Sequence, residues 1–262
     1  MPRAARVHSV LQRTGRGRRG RGVTALFRAG IAGLVLASLL AAAGCAAHDP
    51  TPGLLRAEGV SARVVPVADA TALPAVVAAT RTIGTTTLGL APRDRNTVVS
   101  PSSLVLALGM LTEGARGDTL AQLEQALGAT GEQRRDALAA LRGALLEHDG
   151  DPKAATGDEL PDRPIIHLAS QVVTDDEFEV DAGYLEALAD VFDAGVQRAD
   201  LASQAGMDLL SAWIRHHTGG LIEQTAIQPN PDLRLVLQDA ILLAARWQTP
   251  FDPNVTASRP FT

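Results

Sequence analysis

One stretch near the C-terminal end constrains this chain more than any other. Leu235-Val236-Leu237 and Ala240-Ile241-Leu242-Leu243-Ala244-Ala245 flank Gln238-Asp239. The run is too continuously apolar for one-sided burial and reads as a single long strand covered on both faces. A chain with such a strand must supply a sheet with a layer on each side. Asp239 sharpens the demand, because a carboxylate inside a buried strand is costly unless hydrogen-bond donors reach it. The strand therefore predicts a buried polar partner for Asp239. Trp247-Gln248-Thr249-Pro250-Phe251-Asp252-Pro253 then leaves the strand through two prolines.

A second segment demands burial from the helical side. Asn96-Thr97-Val98-Val99 is a short strand-like run feeding into Ser100-Pro101-Ser102-Ser103. Serine before proline is a strong helix start, the hydroxyl capping free N–H groups and proline losing nothing at the first position. The helix that follows, Leu104 to Leu111, is apolar on nearly every side and must be central. Gly114 ends it. Before it, Ala75 to Leu90 forms a first helix whose end is weakened by Gly84 and Thr85-Thr86-Thr87. After it, Asp118 caps a helix with Leu120, Leu123 and Leu127 on one face and Gly128 as its stop, and Gln133 to Glu147 forms another.

Residues 148–164 read as an exposed acidic loop; His148 and the acids at 149, 151, 158, 159 and 162 match no metal cage. Ile165 to Val173 is strand-like. Asp181 starts a helix through Tyr184, Leu188 and Phe192, and Gly195 to Ala199 is a short strand. A helix carrying Met207, Leu210, Trp213 and Ile214 ends near Thr218-Gly219-Gly220. His216-His217 invites a metal reading, but neighbours on a helix point about 100° apart and do not readily share an ion. Last-turn histidines complement the helix dipole instead. No metal and no cofactor is expected.

The N-terminal end has a different character. Arg13, Arg16, Arg18, Arg19, Arg21 and Arg28 precede an uncharged run from Ala29 to Ala43, then Gly44-Cys45. A basic head, a short apolar stretch and small residues are the layout of an export signal over residues 1–44. The run is short of the roughly 20 residues of a spanning helix. Leu40-Ala41-Ala42-Ala43-Gly44-Cys45 resembles a bacterial lipoprotein box, with Ala42 where that pattern prefers Leu. The resemblance implies lipid attachment at Cys45 and a body held outside the cytoplasmic membrane. A plain secreted protein, with Cys45 removed or idle, is the alternative; Arg18-Arg19 also hints at a twin-arginine signal. Residues 45–75, with prolines at 50, 52, 66 and 74, read as a tether.

Charge divides along the same line. The formal net charge of −5 averages eight arginines and no acid in residues 1–44 with 16 basic against 29 acidic residues beyond, a net of −13. So acidic a body argues against nucleic acid as a partner. Gly-x-Ser-x-Gly, P-loop and His-Glu-x-x-His patterns are absent from the sequence, so an enzyme is not expected.

In their order, these pieces resemble the N-terminal part of a serpin, a serine protease inhibitor. The resemblance rests on Asn96 to Ser103 running into Met110-Leu111-Thr112-Glu113-Gly114-Ala115, then Gly117-Asp118-Thr119, Leu120-x-x-Leu123 and Leu127-Gly128. It continues through Trp213-Ile214, Thr218-Gly219-Gly220-Leu221-Ile222 and Leu235-Val236-Leu237 to Arg246-Trp247-Gln248-Thr249-Pro250-Phe251-Asp252-Pro253. It implies an α+β fold over residues 76–262, with N-terminal helices around a central mixed β-sheet. It also implies bait-and-trap inhibition: a serine or cysteine protease cuts an exposed reactive loop, which then inserts into the sheet. Ser100, Ser103 and Asp239 would form the shutter beneath the opening, and Trp247 would stand near the point where insertion begins. The family has Asn at position 239, and Ala244-Ala245-Arg246 replaces a Lys-Gly-Lys-like run. The chain is expected to stop, at Thr262, before the C-terminal strands and the reactive loop, leaving this polypeptide inactive. A non-inhibitory exported lipoprotein using the scaffold as a binding module is the alternative.

Overall fold

The computed structural model describes residues 53–92, 94 and 96–260; the segment expected to be an export signal, and Cys45, lie outside the described residues. Helix α1 spans Leu73–Gly89. It runs through Thr85-Thr86-Thr87, expected to weaken it; Thr85, like Thr80 and Thr82 before it, turns its hydroxyl back to the carbonyl four residues earlier and stays within the helix. Gly84 marks a close crossing, since a Cβ there would lie 2.5 Å from the Pro101 ring. Helix α2, Pro101–Gly114, begins at that ring.

Helices α3 (Gly117–Leu127) and α4 (Gly131–Leu146) follow. Asp118 sits in the first turn of α3 and not at its cap, which Arg116 occupies. Gly128 stops α3 in the left-handed region, at φ 74°. Strand β1 (Ile165–Thr174), helix α5 (Ala182–Phe192) and strand β2 (Val196–Arg198) form a parallel crossover. The Asp181 carboxylate caps α5, accepting from Gly183 N at 2.8 Å. Helix α6 (Gln204–His217) is capped by Ser203. Strand β3 (Leu235–Ala244) then pairs antiparallel with β1 along its whole length, giving the mixed order β2-β1-β3.

Alternation along β1 separates two cores. Val172 packs with Val105, Leu106, Met110, Leu138 and Phe192 of the helices on one face. Val173 packs on the other with Leu201, Met207, Leu210 and Val236, beneath α6. The sheet is therefore the middle of three layers.

Three expectations change. Asn96 to Val99 pairs with no strand among the described residues, and Val98 is 95% exposed. β3 is not buried equally on both faces: Val236, Gln238, Ala240, Leu242 and Ala244, on one face, are buried, while Leu237, Asp239 and Ile241 on the other are half-covered and Leu243 is 66% exposed. The reason is a missing neighbour, because β3 is an edge strand among the described residues.

The tether expected over 45–75 is the third. From Leu55 onward it is a strap bound to the body. Leu55 exchanges backbone hydrogen bonds with Val196, closing the outer edge of β2. Arg56 pairs with Asp193, and Arg63 with Asp190, Asp136 and Glu132. The prolines do not keep this segment apart, because its arginines meet acids on α4 and α5 and Ala70 is buried.

Candidate functional site

The polar cluster that Asp239 requires forms where α2 crosses the β1–β3 pair. Register supplies its nearest partner. Ser170 of β1 lies directly opposite Asp239 of β3, and its hydroxyl donates to Asp239 Oδ2 at 2.6 Å. The head of α2 brings two more hydroxyls. Ser100 was expected to cap the helix, but its side chain caps no N–H; it donates to Ser103 Oγ at 2.9 Å. That bond leaves the Ser103 proton free to turn toward Asp239. Ser100, Ser103 and Asp239 line one cleft of about 320 Å³, walled by Thr87, Val99, Leu104, Ala107 and Leu237.

Burial pushes the Asp239 carboxyl up to about 6, against the hydroxyls of Ser170 and Ser103, which pull it down. The balance is incomplete, for Oδ1 is buried with no hydrogen-bond partner. Desolvation disfavours the charged form, and one or two neutral donors do not offset it.

The preceding residue ties the strand the other way. Gln238 accepts from Gln171 Nε2 at 2.8 Å and donates to the Leu210 carbonyl of α6 at 3.1 Å. Successive residues of a strand point to opposite faces, so Gln238 and Asp239 fasten β3 to the layers above and below it. Ser170 and Gln171 were missed in the sequence, although a signal was present. Both long strands carry two consecutive polar residues at their centre, and antiparallel register pairs them, Ser170 with Asp239 and Gln171 with Gln238. Such a cluster is a fastening: hydroxyls that donate to a carboxylate lock α2 to the sheet.

The outer edge of β3 has no strand beside it among the described residues. Just past its end Trp247 is 74% exposed and meets Phe251 edge-on, with ring centroids 6.2 Å apart. Trp247 therefore stands apart from the serine–aspartate cluster, at the end of the strand. No group of three or more metal-ligating side chains occurs among the described residues.

Arrangement and sequence can now be set against known proteins. The family described as Serpin (serine protease inhibitor) matches residues 85–262. The chain belongs to the serpin family. It is 30% identical over 172 residues to serine protease inhibitor 42Dd of Drosophila melanogaster, covering 64% of this chain and 44% of that protein. It is 30% identical over 190 residues to Iripin-3 of Ixodes ricinus, covering 70% and 46%. Among solved structures it resembles a thermophilic serpin, Tengpin, in the native state, with TM-score 0.57 and 20% identity over 76% of this chain and 47% of that one. It also resembles reaction-loop-cleaved lamprey angiotensinogen, with TM-score 0.57 and 23% identity over 71% and 52%. The serpin thus spans about half the length of these relatives, and its α+β fold is part of theirs.

Proposed function

We propose that this serpin is the front part of a suicide-substrate inhibitor of serine-type endopeptidases. The observation that carries the reading is the outer edge of β3, unpaired among the described residues, beside the Ser100–Ser103–Asp239 cleft. A long edge strand with open N–H and C=O groups is a template for an incoming strand. A fastening of a few hydrogen bonds below it can hold the sheet in one of two states. In this reading the cluster is the shutter, Ser170 belongs to it, and Trp247 marks the end where insertion starts. The protein is exported, and Cys45 carries the lipid that holds it at the outer side of the cytoplasmic membrane.

In this reading the reactive loop of the family is not supplied by residues 1–262. Purified 1–262 is therefore expected to form no SDS-stable complex with a panel of serine proteases. A polypeptide extended by the downstream coding sequence, through the loop and last strands, is expected to form one. A complex with 1–262 would overturn the placement of the bait, and failure of the extended protein across the panel would overturn the inhibitor reading. Labelling with a radioactive fatty acid, lost in Cys45→Ser, checks the anchor.

A further inference from the structure

The C-terminal turn of α6 is held to the sheet by a second polar contact, separate from the serine–aspartate cleft. His217 is buried, 5% exposed, at the last turn of α6. Its Nδ1 lies 2.9 Å from Nε2 of His167 on β1. The other nitrogen of His167 faces the Asp149 carboxylate at 3.3 Å. The two rings are within 5° of parallel with centroids 5.2 Å apart, a separation just filled by two ring radii and one hydrogen bond. They therefore meet edge to edge in one plane and share a proton in line. A metal ion between them would need the rings to part, since each metal–nitrogen bond is about 2.0–2.1 Å.

We propose that Asp149, His167 and His217 form a proton-operated latch that holds the end of α6 on β1 with zero or one added proton and releases it with two. With no added proton, His167 donates to Asp149 from Nδ1 and accepts from His217 at Nε2. With one, His167 donates at both nitrogens and His217 accepts. With two, both facing nitrogens carry protons at hydrogen-bonding distance, and neither orientation relieves the clash without separating the rings.

The surroundings set which groups share the titration. Asp149 of the loop bonds His167 and His216 meets His217 edge-on, with centroids 4.8 Å apart. The loop also carries His148, Asp151 and Lys153, and the last turn of α6 carries Arg215, which donates to the Glu223 carbonyl. β1 adds His167, and β3 presents Leu242 opposite it. The short 3-10 turn of the loop, Pro152–Ala155, carries Asp151 at its cap, so acids and bases both border the joint; what opposes a second added proton is the facing of two N–H groups across 2.9 Å. The loop depends on the same joint: the Thr156 hydroxyl donates to the Gly219 carbonyl just past α6, at 3.0 Å. Trp213 lies over His217, with centroids 4.4 Å apart, and reports on it.

The test is hydrogen exchange of residues 204–217 in the full-length protein, corrected for intrinsic rates, at pH 7.5, 6.5 and 5. The expected result is about a tenfold faster exchange at the end of α6 at pH 5, with exchange at α5 unchanged. In His167→Gln, which keeps a neutral donor and acceptor, the acceleration is expected to vanish. Should that variant fail to fold, imidazole NMR of the wild type decides: the pair should take its first proton with the α6 signals in place and its second only as they shift. Equal protection at all three pH values, or the same acceleration in a folded His167→Gln, would overturn the latch.

Discussion

Two carboxylates near opposite ends of α2, Glu113 buried on the helix and Asp239 half-covered on the neighbouring strand, are treated in opposite ways. Glu113, in the last turn, has a side chain with no exposure and three charged bonds: Arg134 Nη2 at 2.7 Å, and Arg135 Nε and Nη2 at 2.9 and 2.7 Å. Arg134 is in turn bonded to Glu124. Burial and the negative charge of Glu113 together push the nearby Tyr184 phenol up. Asp239, beside the head of the same helix, has the Ser170 hydroxyl, the neighbouring Ser103 and an oxygen with no partner. Charged pairing of both Glu113 oxygens makes a firm joint between α2, α3 and α4, with Arg134 Nε left buried and unpartnered in it among the described residues. Partial pairing makes a joint that opens at small cost, which suits the proposed strand insertion.

The comparison is most severely tested at Glu113. Glu113→Gln leaves Arg134, itself 3% exposed, with Glu124 as its remaining carboxylate, and leaves Arg135 without the Glu113 charge. We expect a loss of about 3–5 kcal/mol, as when one partner of a buried pair is removed, measured by denaturant unfolding. A change below about 1 kcal/mol would show that the joint is no stronger than a surface pair.

Asp239 should behave in the opposite sense. Its carboxyl titrates near 6 in the fold against an ordinary value of 3.8, so between these values the folded state holds the proton that the unfolded state has released. Stability then falls as pH rises from about 4 to 6, by up to about 3 kcal/mol. Asp239→Asn should abolish this slope and be more stable than the wild type at pH 7.5 by a similar amount, the difference closing at pH 4. Unfolding curves at the two pH values decide it, and a variant less stable at pH 7.5 would refute the half-paired description.

The smallest effect is expected at Ser170. Ser170→Ala removes the 2.6 Å bond to Asp239 and should cost about 1–2 kcal/mol at pH 7.5, moving the Asp239 transition to higher pH. In the Asp239→Asn background the same substitution should cost less. Equal cost in both backgrounds would mean that Ser170 serves packing and not the carboxylate.

Much of this architecture was legible in local chemistry. Continuous apolar runs located β1, α2 and β3, the Asp181 cap and the Gly128 stop bounded α5 and α3, and Asp239 announced a polar partner. The strap over Leu55 to Ala70 was not legible. Its prolines speak only of local backbone, whereas Asp190, Asp136 and Glu132 come from helices far along the chain. Glu113 with Arg134 and Arg135, and His167 with His217, were hidden for the same reason.

The sequence by itself determined which segments must be buried and that one buried carboxylate needed donors, because burial and helix capping are read from neighbouring residues. Only the tertiary structure decided which donors those are. Strand register and helix crossing bring together residues 69 positions apart, as with Ser170 and Asp239, and no local preference specifies either.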